Sequence, residues 1–260
     1  AGARATAAAG TPGFTAAEVK PGVPAAAVAR APAALPLDLS IAVLPFVNMS
    51  GDAEQEYFAD GISEDIITAL SKLSQLFVIA RNSSFTFKGR NVNVQEVGDS
   101  LKVRYVLEGS VRKSGNKVRI TAQLIDATTG GHQWAERFDR DLTDIFAVQD
   151  DVTQQIVGAL ELKLTARDQQ RLATEQTQNL EAYDCFLRGR EHMWQLTREQ
   201  NIQGRQLLQR AVDLDPKFAP AHAFLAVTHG LAYVNQWSRS PSKSLEQATE
   251  AATLAVALDD

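Results

Sequence analysis

The chain has 260 residues, 45% hydrophobic and 22% charged, and its 26 Lys and Arg against 31 Asp and Glu give a formal net charge of -5. That balance fits one or two soluble domains with ordinary cores and lacks the excess positive field a nucleic-acid partner needs. The single cysteine, Cys185, excludes an internal disulfide and a multi-cysteine metal site, and it fits either a reducing cytoplasm or a cysteine-poor periplasmic segment. No apolar run reaches the roughly eighteen residues of a membrane span.

Residues 1–38 are rich in alanine, hold five of the nine prolines and carry Phe14 as their one aromatic. Such a segment buries too little to offset its ordering entropy and reads as a linker. The start at Ala1 without methionine, and the end at Asp260 directly after a helical pattern, suggest a fragment of a longer chain.

From Ser40 the run Ile41-Ala42-Val43-Leu44-Pro45-Phe46 predicts a buried strand ending near Pro45. A helix is expected to open at Asp60, with Ile62, Ile66, Ile67, Leu70 and Leu73 at helical spacing and acids early, where the dipole favours them. Residues 77–80 predict a second strand and 94–101 a second helix, an order that implies a partly parallel sheet covered by helices. Residues 105–112 and 117–126 alternate as a hairpin about Gly115-Asn116, a turn with positive φ angles. A fifth strand over 132–139 places Trp134 and Phe138 on one face, with Trp134 read as core in preference to a recognition aromatic. Residues 144–164 carry the apolar stripe of a long helix.

Beyond Gln169 the pattern is helical throughout. The segment Ala211-Val212-Asp213-Leu214-Asp215-Pro216 recurs as Ala255-Val256-Ala257-Leu258-Asp259-Asp260, a repeat of period 44, with residues 235–242 as an inter-helix loop.

The residues Ile41 to Phe46, Tyr57-Phe58-Ala59-Asp60-Gly61, Arg104-Tyr105-Val106-Leu107-Glu108-Gly109-Ser110 and Trp134 to Phe138 together resemble the TolB amino-terminal-like domain of bacterial regulators, over about 39–164. The resemblance implies that tetratricopeptide repeats follow, and that the pair stands downstream of a class III adenylate or guanylate cyclase domain or of a winged-helix DNA-binding domain. Gly189 matches the small position of the first repeat's helix A, and Gly204, Leu208, Ala211 and Pro216 the packing and closing positions of helix B; Ala226, Ala248, Ala252 and Ala255 match in the second. The first repeat departs from the pattern by a longer turn around 197–201, and the second ends in Asp260 in place of proline. A membrane span upstream of the linker would put these residues on the periplasmic side, with the cytoplasm as the alternative.

No glycine-rich phosphate loop and no cyclase metal-aspartate pattern occur, and the four histidines form no zinc motif. His222 and His229, seven apart, read as packed or solvent-facing. Asp60, Glu64 and Asp65 read as capping and dipole compensation before acid or base work. Arg81, Ser83 and Ser84 lie beyond a parallel strand's carboxyl end, where small ligands bind in open sheets, or form a plain strand-to-loop transition. The basic residues Arg104, Arg112, Lys113, Lys117 and Arg119 read as a solvated hairpin face guarding a sheet edge.

The expected architecture is therefore a linker over 1–38, an α/β domain with a mixed helix-covered sheet over 39–166, and an all-α region of two tetratricopeptide-type helical hairpins, truncated, over 167–260. The expected role is a non-catalytic protein-interaction or sensory scaffold of a bacterial signalling protein, the regulatory part of a cyclase. The alternative is a small-ligand sensor region of a winged-helix transcription regulator. No catalytic residue, metal or cofactor is assigned. A protein or peptide partner is expected on the helical repeats at Tyr183, Phe186, Arg190, Phe224 and Tyr233, and a small ligand, if any, at Arg81, Ser83 and Ser84.

Overall fold

In the computed structural model, residues 37–172 and 177–259 are described; most of the expected linker, at 1–36, and Asp260 at the end of the second repeat lie outside them. Strand β1 (Ser40–Val43) lies parallel to β3 (Phe77–Val78) on one side and to β4 (Tyr105–Ser114) on the other. Strands β5 (Lys117–Asp126) and β6 (Gly131–Asp141) continue the sheet antiparallel, in the order β3-β1-β4-β5-β6. This is the mixed sheet expected from the pattern.

Pro45 splits the first strand as the sequence predicts, because it has no N–H to give a ladder. The chain rejoins β4 two residues later as β2 (Val47–Asn48), and the Phe46 N–H freed by the break donates to the Ser63 hydroxyl at 2.8 Å. Gly109 of β4 makes room for the Phe46 ring, which would stand 2.7 Å from a Cβ there.

Alternate residues of the central strands serve opposite faces. Ile41, Val43 and Leu107 join the larger core, while Ala42, Leu44 and Val106 join a smaller one with Phe87, Val97, Val103 and Ala127. Helix α1 (Glu56–Ser71) and helix α4 (Ile145–Ala159) contribute to the larger core, and α3 (Val94–Leu101) closes the smaller beside a short helix α2 (Arg81–Ser84).

Four details differ from expectation. Helix α1 starts four residues early, after a 3-10 turn capped by Asp52, which accepts from Glu54 N–H at 2.9 Å. In the β4–β5 turn only Gly115 has a positive φ, at 58°, the pattern of a type II′ turn with glycine first. Helix α4 stops at Leu160, because Glu161 adopts φ 51° and Leu162 N–H bonds Val157 O at 3.0 Å, a Schellman closure in which a glutamate takes the place usual for glycine. The β4–β5 hairpin is interior to the sheet, flanked by β1 and β2 along β4 and by β6 along β5, so its basic residues lie on no edge strand. Arg104, Lys117 and Arg119 are paired instead with Asp126, Asp141 and Asp139.

After a short α5 (Ala166–Leu172) come α6 (Leu180–Trp194) packed on α7 (Arg198–Leu214), then α8 (Ala219–Val234) packed on α9 (Pro241–Leu258). These are two helical hairpins. Gly189 and Gly204 face each other: a Cβ on Gly204 would lie 2.8 Å from Gly189 O, and one on Gly189 would lie 2.8 Å from Leu208 Cγ. Asn179 caps α6 through Ala182 and Glu181 N–H and also donates to Leu214 O at 3.2 Å, tying the start of α6 to the end of α7. The larger core runs without interruption from Ile41 in the sheet through α1 to Phe186, Phe218 and Leu225 in the hairpins.

Candidate functional site

The acids expected to cap α1 lie inside it. With the helix starting at Glu56, Asp60 falls in its second turn, and Glu64 and Asp65 are each 7% exposed. Ionised carboxylates so deep cost several kcal/mol unless paired and hydrogen-bonded. The partner is α6. Tyr183, Leu187 and Arg190, at i, i+4 and i+7, form one face of that helix against α1.

Arg190, 5% exposed, places Nε 3.0 Å from Glu64 Oε2 and Nη1 3.0 Å from Asp65 Oδ1, and Nη2 donates to Gly61 O at 3.1 Å. The second oxygen of Asp65 accepts from the Tyr183 hydroxyl and, at 2.9 Å, from Gln149 of α4. The second oxygen of Glu64 takes Arg81 Nε at 2.7 Å. The Arg81 guanidinium lies 3.9 Å from the ring centre of Phe85 and 4.4 Å from that of Trp194, at the far end of α6. Beside the pair, Gly61 lets Leu187 approach, since a Cβ there would lie 2.7 Å from its Cδ2. Tyr57 bonds Asp184 and accepts from Arg188 at 3.2 Å on the rim.

Two carboxylates and two guanidiniums leave the cluster neutral, and all four carboxylate oxygens are engaged. Burial, reinforced by the Asp65 charge, holds the Tyr183 hydroxyl well above its ordinary range, so it stays a donor. Partial burial and the Asp184 hydrogen bond push Tyr57 up to about 12. Burial opposes the Arg190 charge, but Asp65 and Glu64 outweigh it and raise its pKa. With every carboxylate oxygen engaged and both acids ion-paired, the cluster acts as a joint between the sheet domain and the first hairpin. A cleft of about 630 Å³ opens beside it, lined among others by Asp65, Lys72, Phe146, Gln149 and Leu172.

The residues singled out from sequence fall into three settings. Tyr183, Phe186 and Arg190 are buried, the first and last in the joint, and Phe186 stacked edge-on to Phe218 at 4.9 Å and Phe224 at 5.5 Å. Phe224 is half-buried and Tyr233 is 41% exposed; Val227 and Val234, seven apart on one side of α8, are exposed as well. Arg81 belongs to the joint, Ser83 is exposed and Ser84 fully buried, so the structure does not bring these three to one surface. Glu64 and Asp65 were missed as interface residues; the available signal was two adjacent acids inside an apolar helical run.

Residues 37–157 match the model of a domain described as "HilA/YgeH-like transcriptional regulator, second domain". Over 231 residues, 89% of this chain, the sequence is 52% identical to a protein of Rhizobium meliloti (strain 1021) named "Putative adenylate cyclase 3", and it spans 39% of that protein's length. Among solved structures, TolB from Acinetobacter baumannii is similar at TM-score 0.35 and 16% identity, over 46% of this chain and 28% of that one. Lipoprotein GNA1162 from Neisseria meningitidis is similar at TM-score 0.36 and 19% identity, over 49% of this chain and 99% of that one. No helix among the described residues is long and apolar enough to cross a membrane.

Proposed function

We propose that residues 39–260 are a non-catalytic regulatory scaffold of a nucleotide-cyclase-type signalling protein, in which a TolB-like α/β domain carries tetratricopeptide-type hairpins that bind a protein or peptide. The observation that carries this reading is the buried ion cluster, which fixes the first hairpin on α1 and engages Glu64 and Asp65 in ion pairs with Arg81 and Arg190. The relative named for adenylate cyclase, matched over 39% of its length, supports a cyclase parent. The family match over 37–157 favours a second reading, the sensor region of a transcription regulator. On the first reading the partner surface includes the exposed residues of α8, Val227 at 44%, Tyr233 at 41% and Val234 at 73% exposed.

The test has two arms on the intact chain. Incubated with ATP or GTP and a divalent metal, it should form no cyclic nucleotide. Used as bait in a bacterial lysate, it should retain a protein that is lost on Tyr233→Ala with Val234→Ser. Turnover by the isolated chain, or equal retention by wild type and variant, overturns the proposal.

A further inference from the structure

Strand β6 ends the sheet, and among the described residues it pairs along β5 alone. One bond settles which of its backbone groups face β5. The Leu142 N–H donates to Asn116 O at 2.8 Å, its direct opposite when the β5–β6 register is continued. Arg140, Phe138 and Glu136, in step with Leu142, therefore turn their N–H and C=O groups toward β5, and Ala135, Arg137, Asp139 and Asp141 turn theirs outward. The Asp139 carbonyl accordingly accepts from the Arg140 side chain, Nη1 at 3.1 Å, and from no strand. A row of outward donors and acceptors on an end strand is a template for another strand.

Charged side chains usually guard such an edge. Those of β6 instead match their own reverse. Two copies of one strand pair antiparallel about a two-fold axis perpendicular to the sheet, passing a residue that faces its own copy. With the axis at Phe138, Arg137 stands opposite Asp139 and Glu136 opposite Arg140, each twice, and every one of these pairs joins opposite charges. An axis at Glu136, Arg137, Asp139 or Arg140 sets that charge against itself. In the Phe138 register the outward groups also meet: Arg137 exchanges backbone bonds with the second copy's Asp139, and Ala135 with its Asp141. Glu136 is exposed and makes no ion pair among the described residues, while Arg140 reaches Asp151 of α4 only at 3.9 Å. Ala147 and Gly158, in line with Asp151 on α4, are small and exposed, so no bulky side chain stands there against a second α4.

We infer that β6 is a self-association edge, through which two copies of this chain join their sheets antiparallel about a two-fold axis at Phe138. The surface lies on the sheet domain and is independent of the partner proposed for α8. One strand pair covers less area than a permanent dimer needs, so the association is reversible and rises with concentration.

The test is sedimentation velocity of the full chain from about 5 to 500 µM in about 0.1 M salt, which reads the dimer fraction. A monomer–dimer equilibrium within that range is expected. Glu136→Lys turns both of its cross-strand pairs from attractive to repulsive and should weaken the dimer by roughly tenfold or more. Glu136→Lys together with Arg140→Glu makes the pairs opposite again and should bring Kd back to within about threefold of wild type. Ala135→Pro removes an outward N–H and no bond to β5, so it should abolish the dimer while the fold, read by circular dichroism, is kept. Should Ala135→Pro unfold, the single and double charge variants decide the matter alone. A chain that stays monomeric throughout, a dimer that Glu136→Lys leaves intact, or a loss that the double variant does not restore overturns the inference.

Discussion

Replacing Arg190 by methionine keeps most of the stem volume and removes the charge from the centre of the joint. Glu64 would retain Arg81 at 2.7 Å, whereas Asp65 would lose its one cation and keep only the Tyr183 and Gln149 hydrogen bonds. Breaking a buried pair by deleting one partner costs about 3–5 kcal/mol, and the surviving hydrogen bonds place this case near the lower end, at about 3 kcal/mol. For a unit of this size, that corresponds to a fall in Tm of roughly 6–12 °C by calorimetry or circular dichroism. Adding Asp65→Asn should recover most of the loss, because the uncompensated charge goes with it. A Tm within about 1 °C of wild type for Arg190→Met refutes the electrostatic account. A double variant no better than the single one shows that the loss came from packing over Phe186, whose ring centre lies 4.9 Å from the guanidinium.

Gly109→Ala would place a Cβ 2.3 Å from the backbone oxygen of Thr121, which cannot step aside, so a loss of at least about 3 kcal/mol in denaturant unfolding is expected; less than about 1 kcal/mol would contradict the close approach. Gly204→Ala meets Gly189 O at 2.8 Å, and the added strain exceeds the gain of about 1 kcal/mol in helix propensity, so the same assay should show a net loss of about 1–2 kcal/mol. In acid, two groups act in successive windows. His229 is depressed to about 4, so the unfolded chain takes its proton first and stability should fall as pH drops from about 6.5 to 4, by up to about 3 kcal/mol, a slope that His229→Gln removes. Asp168 is depressed to about 2, chiefly by the Thr165 N–H and hydroxyl, so its contribution is present above about pH 4 and lost between 4 and 2, a slope that Asp168→Asn removes.

The sheet was legible because its strands alternate or run apolar between turn residues, and α3 matched its expected bounds, 94–101. The boundaries that moved have separate causes. Asp52 starts a 3-10 turn four residues ahead of α1, and Glu161 ends α4 in a conformation that sequence reading assigns to glycine. The helical hairpins were legible from small residues, since Gly189 and Gly204 do face each other. Their outward face was less so. A helix with one apolar stripe shows which side is buried; α6 buries Tyr183, Leu187 and Arg190 against α1 as well as Phe186, Gly189 and Met193 on its other side. An arginine and a tyrosine on such a face look like recognition residues until their partners are known.

Helix α1 explains why these two views diverge. From Tyr57 to Ile67 every residue except Asp60 is buried, so the helix has no solvent side over that stretch. Ile62, Ile66 and Leu70 belong to the core shared with the sheet, and Gly61, Glu64 and Asp65 meet α6. A helix buried all round needs two partners, and here the second contact is ionic, which binary patterning records as surface. Because Asp65 is paired only while α6 is in place, and Glu64 keeps only Arg81 without it, the hairpin cannot swing away from the sheet domain without stranding a carboxylate in an apolar setting. The ion pairs of Arg190 with Glu64 and Asp65 and the core shared by α1 and α6 therefore hold the first hairpin and the sheet together.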